Sequence, residues 1–318
     1  MPLSTYLMSY LKKGTFPLFS SDGLVAWAEL IKELTVDADA VWRAIVAGAA
    51  ANHQDSTSHF PTTASVNDVD IVIVEDDLLA FLGATHEAMC SNFTVATSSQ
   101  VQPLIQSLRA IMAPYMEEST VQLWLNPRHL MSGGMTASPL TCIPDQARNV
   151  TFGSAPNQKV IAQEAPIWAL LKRRAYEPKG KLTKYGAKPH YVLAHLLNHN
   201  LNGSGADAKN VVPLWAAANT DMSNRVEKVV KDLVQRGATS RYVITCGGPV
   251  GMTSGRKALK AQCNNKQQWA LIEAEATLPE HLVIAFDVYD HQNKVWVSVL
   301  KETITNFVPE TVPYLRKA

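Results

Sequence analysis

Short runs of β-branched and aromatic residues in the second half of the chain predict strands. These runs occupy residues 191–197, 210–214, 241–246, 281–290 and 294–300. The last two are separated by the polar segment "DHQNK", which predicts a hairpin. Pro213 has no amide to donate to a strand ladder, so we expect it at the end of its strand rather than at its centre.

Apolar residues recur at helical spacing between residues 217 and 236, which predicts one helix with a buried stripe. The stripe consists of Met222, Val226, Val229, Val230, Leu233 and Val234. Gly237 follows at the position where a helix commonly ends. Asn219, Ser223 and Glu227 stand at i, i+4 and i+8 and form a second, polar stripe. We expect His195, at the edge of the strand pair before this helix, to face that polar stripe and the solvent.

The first half of the chain predicts an α/β module. Helical patterns cover residues 23–50 (two helices), 78–90 and 101–112, and strand patterns cover 68–75 and 121–125. Residues 126–160 are rich in Pro, Gly, Ser, Thr and Asn, with "MSGGMTASP" as the loosest part. We therefore expect a division into an N-terminal module of unknown role (1–150) and a C-terminal domain (160–318).

Composition indicates a globular chain without a membrane span. Of its 318 residues, 47% are hydrophobic and 18% charged. No apolar run reaches the roughly 18–20 residues that a membrane-spanning helix needs. The N-terminus lacks the pattern of a cleaved secretion signal, so we expect a cytoplasmic location in the producing cell. The four cysteines are far apart and form no C-x-x-C pair, which argues against a zinc ribbon or disulfide scaffold.

A net charge of +1 conceals strong segregation of charge. Residues 161–266 hold 17 Lys and Arg against 6 Asp and Glu, whereas the remaining residues hold 12 against 22. A locally basic segment is what a polyanion-binding surface requires, because neutralised phosphates release counterions. The alternative is a solvated face whose charges pair with the acidic remainder.

The residues of the 191–227 segment suit phosphodiester hydrolysis. A neutral imidazole such as His195 can accept a proton from water near neutral pH. Mg²⁺ prefers oxygen ligands and needs only one or two from the protein, so the Asn219 carbonyl could bind it and Glu227 could hold a metal-bound water. The spacing alone leaves an alternative open, in which His195 is a structural residue and Asn219 is a helix cap.

The segment "AHLLNHNLNGSGADAKNVVPLWAAANTDMSNRVE" closely resembles the DNA/RNA non-specific endonucleases of the ββα-metal (His-Me finger) superfamily. The matching features are Ala194-His195 on a strand, a loop with Gly203 and Gly205, the "NVVP" segment, and Asn219 followed eight positions later by Glu227. The loop is especially similar to nuclease toxins carried by polymorphic or contractile injection systems. This resemblance implies an α+β fold, a ββα-metal nuclease core within a mixed sheet-and-helix C-terminal domain.

By that resemblance His195 is the general base, Asn219 a metal ligand, and Glu227 the carboxylate that holds the metal, its water or the substrate. The implied cofactor is Mg²⁺ (or Mn²⁺), and the implied partners are DNA and/or RNA. Delivery into target cells, an acidic immunity protein and an injection-particle loading partner are implied as well.

The chain departs from the family pattern beside the histidine. Well-known members have Asp-Arg-Gly-His, whereas this chain has Val192-Leu193-Ala194-His195. The missing arginine would help to hold the scissile phosphate. We expect other cations to bind the substrate instead, namely Arg173, Arg174, Lys188 and Arg225. Two other functions remain open: a nucleic-acid-binding protein that does not cut, and a module whose basic face binds an acidic protein.

Overall fold

A computed structural model describes residues 63–75, 106, 109–110, 112–113, 116–148, 153–175 and 189–315. The helices expected over 23–50 and 78–90, most of the helix expected over 101–112, and the basic residues between 176 and 188 lie outside these ranges. The described residues form a mixed α+β structure. None of the helices among them is long and apolar enough to cross a membrane.

A five-stranded antiparallel sheet is the largest element of the described structure. Its strands are β3 (Val121–Asn126), β4 (Met131–Leu140), β8 (Ser240–Cys246), β9 (His281–Asp290) and β10 (Val295–Thr305). Their order across the sheet is β10-β9-β8-β4-β3. The strands expected over 121–125, 241–246, 281–290 and 294–300 are therefore confirmed, and β9 and β10 pair as the expected hairpin.

The segment "MSGGMTASP" is an interior strand, and its prediction as the loosest part of a boundary was wrong. It lies within β4, which pairs with β3 on one side and β8 on the other. Its small residues have a packing reason: a Cβ at Gly134 would overlap the Trp124 ring, and one at Gly133 would lie 2.9 Å from Trp124 Cδ1. Because strands on both sides of residue 150 share one sheet, residues 121–140 pack with the C-terminal part of the chain.

Two antiparallel strands followed by a helix form a ββα unit, as the sequence predicts. Strand β6 (Tyr191–His195) pairs with β7 (Val211–Trp215), so that Tyr191 lies opposite Trp215 and His195 opposite Val211. Pro213 lies at the centre of β7, opposite Leu193, and not at its end. This position is tolerated because the pair is a two-stranded ribbon, in which each strand has a free edge and needs no second ladder.

The helix of the ββα unit runs from Ala216 to Gln235 in three parts. These are α3 (Ala216–Met222), a π-helical turn (Ser223–Glu227) and α4 (Lys228–Gln235). Gly237 ends the helix as predicted: it has a φ of 97°, its N–H donates to Val234 O, and Ala238 N–H donates to Leu233 O. This is the paired bonding of a Schellman motif.

The predicted apolar stripe of this helix is buried. Met222, Val226, Val230 and Val234 are each 0% exposed and pack in one core with the facing side of the large sheet. A second core lies on the other side of the β6–β7 ribbon, where Tyr191 and Leu193 pack in one apolar cluster with residues of three other helices. The ribbon is thus held between two apolar clusters, which fixes the position of its ends.

The other elements are short. They are β1 (Thr63–Val66), β2 (Val69–Val72), α1 (Gln158–Glu164), α2 (Ile167–Leu171), β5 (Arg174–Ala175), α5 (Ser254–Ala258), α6 (Lys266–Glu275) and β11 (Tyr314–Leu315). Strands β1 and β2 form a hairpin, of which the strand pattern over 68–75 predicted the second half.

Candidate functional site

His195 ends strand β6 and is 7% exposed. Its Nε2 lies 2.9 Å from the backbone carbonyl oxygen of Ser154. Because a carbonyl oxygen only accepts hydrogen bonds, Nε2 bears the proton and the lone pair of the neutral ring is at Nδ1. The expectation that His195 faces the solvent was wrong, since the segment around Ser154 covers it.

Burial lowers the pKa of His195 to about 4, while the Ser154 carbonyl raises it and nearby His199 lowers it further. The ring centroids of the two histidines are 6.1 Å apart. His195 is therefore neutral at physiological pH, which a proton acceptor requires. A pKa this low also makes it a weaker base than an unperturbed histidine.

The glycine loop of the segment packs against the chain around Ser154. Ser154 N–H donates to Gly203 O at 3.1 Å, and Ser154 Oγ accepts from Gly205 N–H at 3.0 Å. A Cβ at Gly203 would overlap Leu197 O, and one at Gly205 would overlap Ala155 O. The two glycines therefore allow the close backbone approach that places the Ser154 carbonyl over His195.

Glu227 is tied to the turn that follows His195. Asn198 Nδ2 donates to Glu227 Oε2 at 2.8 Å, while Asn198 Oδ1 accepts from Asn200 N–H at 3.0 Å and caps the 3₁₀ turn His199–Leu201. Burial raises the pKa of Glu227, and Lys231 and hydrogen bonds from Asn198 and Ser223 oppose that rise. Through Asn198, the strand end and the helix form one site.

Asn219 lies half-buried on α3, at the expected end of the polar stripe. Its backbone oxygen accepts from Ser223 N–H. Within the described ranges no hydrogen bond engages its side-chain amide, and none joins the side chains of His195, Asn219 and Glu227 directly. The stripe continues at four-residue spacing from Glu227 to Lys231 on α4, which is also half-buried. Trp215, four residues before Asn219, is half-buried at the end of β7.

Three of the four expected substrate cations have other partners. Arg174 is 3% exposed and pairs with the fully buried Glu275 at 3.3 Å, so its expected substrate contact is corrected to an interior ion pair. Arg225 forms an ion pair with Glu302 on β10. Arg173 Nη1 donates to Gln267 Oε1 at 3.0 Å. Lys188 lies outside the described residues.

Lys231 lies near Glu227 and His199 and was not predicted from the sequence. Lys231 is close enough to lower the pKa of both Glu227 and His199. Among the described residues it has no ion-pair partner. Its four-residue spacing from Glu227 was the available signal, because residues so spaced share a helix face.

The donors at this site are oxygen atoms. The described part of the chain holds no group of three or more His, Cys, Asp or Glu side chains that could bind a metal ion together. The Asn219 amide oxygen and the Glu227 carboxylate are of the type that Mg²⁺ or Mn²⁺ binds, and such ions retain most of their water. The donor chemistry therefore fits a hard divalent cation.

No protein-family model and no curated protein matches this chain. Among solved structures, the chain is similar to NucA from Streptococcus agalactiae, crystallised with a magnesium ion bound. The TM-score is 0.33 and the sequence identity 14%, over 60% of this chain and 73% of that one.

Proposed function

We propose that the protein is a metal-dependent endonuclease that hydrolyses phosphodiester bonds of DNA and/or RNA. The observation that supports this most is the ββα unit, in which a neutral His195 ends the first strand and Asn198 joins its turn to Glu227 on the helix. The unit combines a proton acceptor with oxygen donors for a hard cation. These are the parts that phosphodiester hydrolysis needs.

In the proposed reaction His195 accepts a proton from water at Nδ1. The water oxygen forms a bond to phosphorus as the bond from phosphorus to the leaving ester oxygen breaks. That oxygen then takes a proton from solvent, and the protonated His195 returns its proton to solvent. Ser154 holds the ring through Nε2, which leaves the lone pair of the neutral ring at Nδ1 to accept that proton.

Asn219 and Glu227 would hold the Mg²⁺ or Mn²⁺ ion, which when bound stabilises the negative charge that builds on the phosphate. Asn198 keeps the Glu227 carboxylate in place by donating to Oε2. Its hydrogen bond also favours the ionised form of Glu227, against the effect of burial.

Lys231 is the cation that we propose to neutralise the scissile phosphate in place of the missing arginine. It stands four residues after Glu227, close enough to lower the pKa of that carboxyl group, and forms no ion pair among the described residues. Arg173, Arg225 and Lys188 are proposed as outer contacts to neighbouring phosphates. Arg225 would first have to leave Glu302.

A second candidate is a nucleic-acid-binding protein that does not cut. The burial of His195 favours it, since a histidine with 7% exposure and a hydrogen-bonded ring nitrogen also fits a structural role. For either function, the toxin or effector role is a proposal that rests on the family resemblance alone. An acidic immunity protein or a loading partner would then bind the basic face.

The test is a digestion assay on plasmid DNA and on RNA, with wild type and His195→Ala, in Mg²⁺ and in EDTA. We expect the substitution to lower cleavage at least about 100-fold, because a positioned general base contributes 10²–10⁴. EDTA should abolish cleavage without unfolding the protein. Binding without cleavage by wild type in Mg²⁺ and in Mn²⁺ would favour the second candidate.

A further inference from the structure

An aromatic cluster lies at the start of the helix that holds Asn219. Trp215 is the last residue of β7 and the N-cap of the helix, four residues before Asn219. Its ring centroid is 5.4 Å from that of Phe307 and 6.3 Å from that of His190. Trp215 N–H also donates to Asn306 Oδ1 at 2.8 Å, which fixes the chain after β10 against the start of the helix.

Phe307 is 54% exposed and forms one wall of an open pocket of about 380 Å³. This volume falls in the range of small-molecule sites, roughly 300–1,000 Å³. The other lining residues are Val250, Glu280, His281, Thr303, Thr305, Asn306 and Val308. The pocket thus combines an exposed aromatic face with hydrogen-bonding side chains.

We propose that this pocket binds a nucleobase of the substrate strand, stacked on Phe307. The proposal rests on the proposed function, because it assigns the pocket to the nucleic acid cut beside Asn219. A base suits the site better than a phosphate does, because the Glu280 carboxylate would repel a phosphate. Aromatic side chains stack on any base, so the platform tolerates sequence variation.

Glu280 adds a preference among bases. Its exposed carboxylate accepts hydrogen bonds and donates none. Cytosine and adenine present an exocyclic amine, whereas uracil and thymine present a carbonyl oxygen in its place. The pocket should therefore favour bases that bear an exocyclic amine.

The test measures equilibrium binding of cytidine monophosphate, uridine monophosphate and ribose phosphate in EDTA, by calorimetry or by NMR titration. Wild type should bind the cytidine compound best and ribose phosphate worst. Phe307→Ala should weaken binding of the cytidine compound about 5- to 150-fold, the range for losing one base–aromatic stack. Binding of ribose phosphate should not change. Glu280→Gln should remove the preference for cytidine over uridine.

Trp296→Ala is the matched control, because Trp296 is a 40% exposed aromatic near the opposite end of β10. If Phe307→Ala binds the cytidine compound as Trp296→Ala does, the subsite is overturned. If cytidine preference survives in Glu280→Gln, the assigned role of Glu280 is overturned. Base-dependent binding by a protein that never cleaves would overturn the proposed function and support the subsite. Cleavage by a protein that binds the nucleotides no better than ribose phosphate would support the proposed function and overturn the subsite.

Discussion

Asn198 donates from Nδ2 to Glu227 Oε2 at 2.8 Å and so joins the turn after strand β6 to the π-helical turn of the facing helix. The π turn inserts an i−5 bond between α3 and α4, with Lys228 N–H donating to Ser223 O. As a result, Glu227 and Asn219 are separated by a different angle around the helix axis than they would be in a regular α-helix. Such turns are frequent at functional sites.

Asn198→Ser should separate the two hydrogen bonds of this residue. Serine can still cap the 3₁₀ turn, as Asn198 Oδ1 does for Asn200 N–H, but it is too short to reach Glu227. We expect cleavage efficiency and Mg²⁺ affinity to fall about 10- to 100-fold, the usual effect of losing a group that orients a metal ligand. Steady-state kinetics at several Mg²⁺ concentrations measure both.

The control for Asn198→Ser is Asn265→Ser, since Asn265 caps α6 by accepting from Gln268 N–H at 3.0 Å. It loses the same side chain at a helix start away from the site. Equal cleavage by the two variants would show that the contact with Glu227 has no part in the reaction.

The ββα unit could be predicted from the sequence because its signals are local. The helix stripe through Val226 and Val230 repeats at helical spacing, and Gly237 ends it at the expected place. The contacts that complete the site are distant in sequence. Asn198 is 29 residues from Glu227, and Ser154 is 41 residues from His195, so no periodic pattern connects them.

Two failures of prediction have packing causes. Gly133 and Gly134 suggest a loop by composition, yet their small size is what allows the Trp124 ring to lie over strand β4. Arg174 belongs to a basic run and suggests a substrate contact, yet Glu275 from helix α6 pairs with it in the interior. In both cases a packing partner on another strand or helix decides the outcome.

The low pKa of His195 should appear in the acid stability of the protein. The unfolded histidine has a pKa of about 6.5, whereas burial lowers that of folded His195 to about 4. Between these values the unfolded chain binds a proton that the folded chain does not. The free energy of unfolding should then fall with decreasing pH by up to about 1.4 kcal/mol per pH unit from this residue.

His195→Asn removes that proton, so its stability should decline less steeply than that of wild type between about pH 6.5 and 4. Urea unfolding at a series of pH values measures the slope. His190→Asn is the control: burial also lowers the pKa of His190 to about 4, and its Nε2 lies 3.1 Å from Phe307 O. Both variants should flatten the slope, but only His195→Asn should lose cleavage. An unchanged slope in His195→Asn would contradict the low pKa.

Gly203→Ala should destabilise the loop that holds Ser154 over His195. The added Cβ would overlap Leu197 O and lie 2.8 Å from Asn210 Nδ2, and the carbonyl cannot move without moving the backbone. We expect a loss of about 1–3 kcal/mol in the free energy of unfolding, as for other overpacked sites. Cleavage should fall as well, because Gly203 O accepts from Ser154 N–H.

The matched control for Gly203→Ala is Gly248→Ala, where no atom lies within 4 Å of the added Cβ. There the free energy of unfolding should stay the same or rise by a few tenths of a kcal/mol, because alanine restricts the unfolded chain. Chemical unfolding of both variants measures these two changes in the free energy of unfolding. Equal stability of the two would mean that the Gly203 loop can move away from Leu197 at little cost.

Lys231→Gln tests whether this half-buried cation contacts the phosphate backbone. Each phosphate contact contributes about 0.7–0.9 to the slope of log affinity against log salt. The slope should therefore become shallower by that amount for any base sequence, measured by fluorescence anisotropy of labelled oligonucleotides in EDTA.

Lys228→Gln makes the same charge change on the same helix at an exposed position, three residues away. We expect its slope to match that of wild type, because Lys228 lies outside the stripe of Asn219, Glu227 and Lys231. If both variants shift the slope equally, Lys231 acts only through the net charge of the helix, and another cation must hold the scissile phosphate.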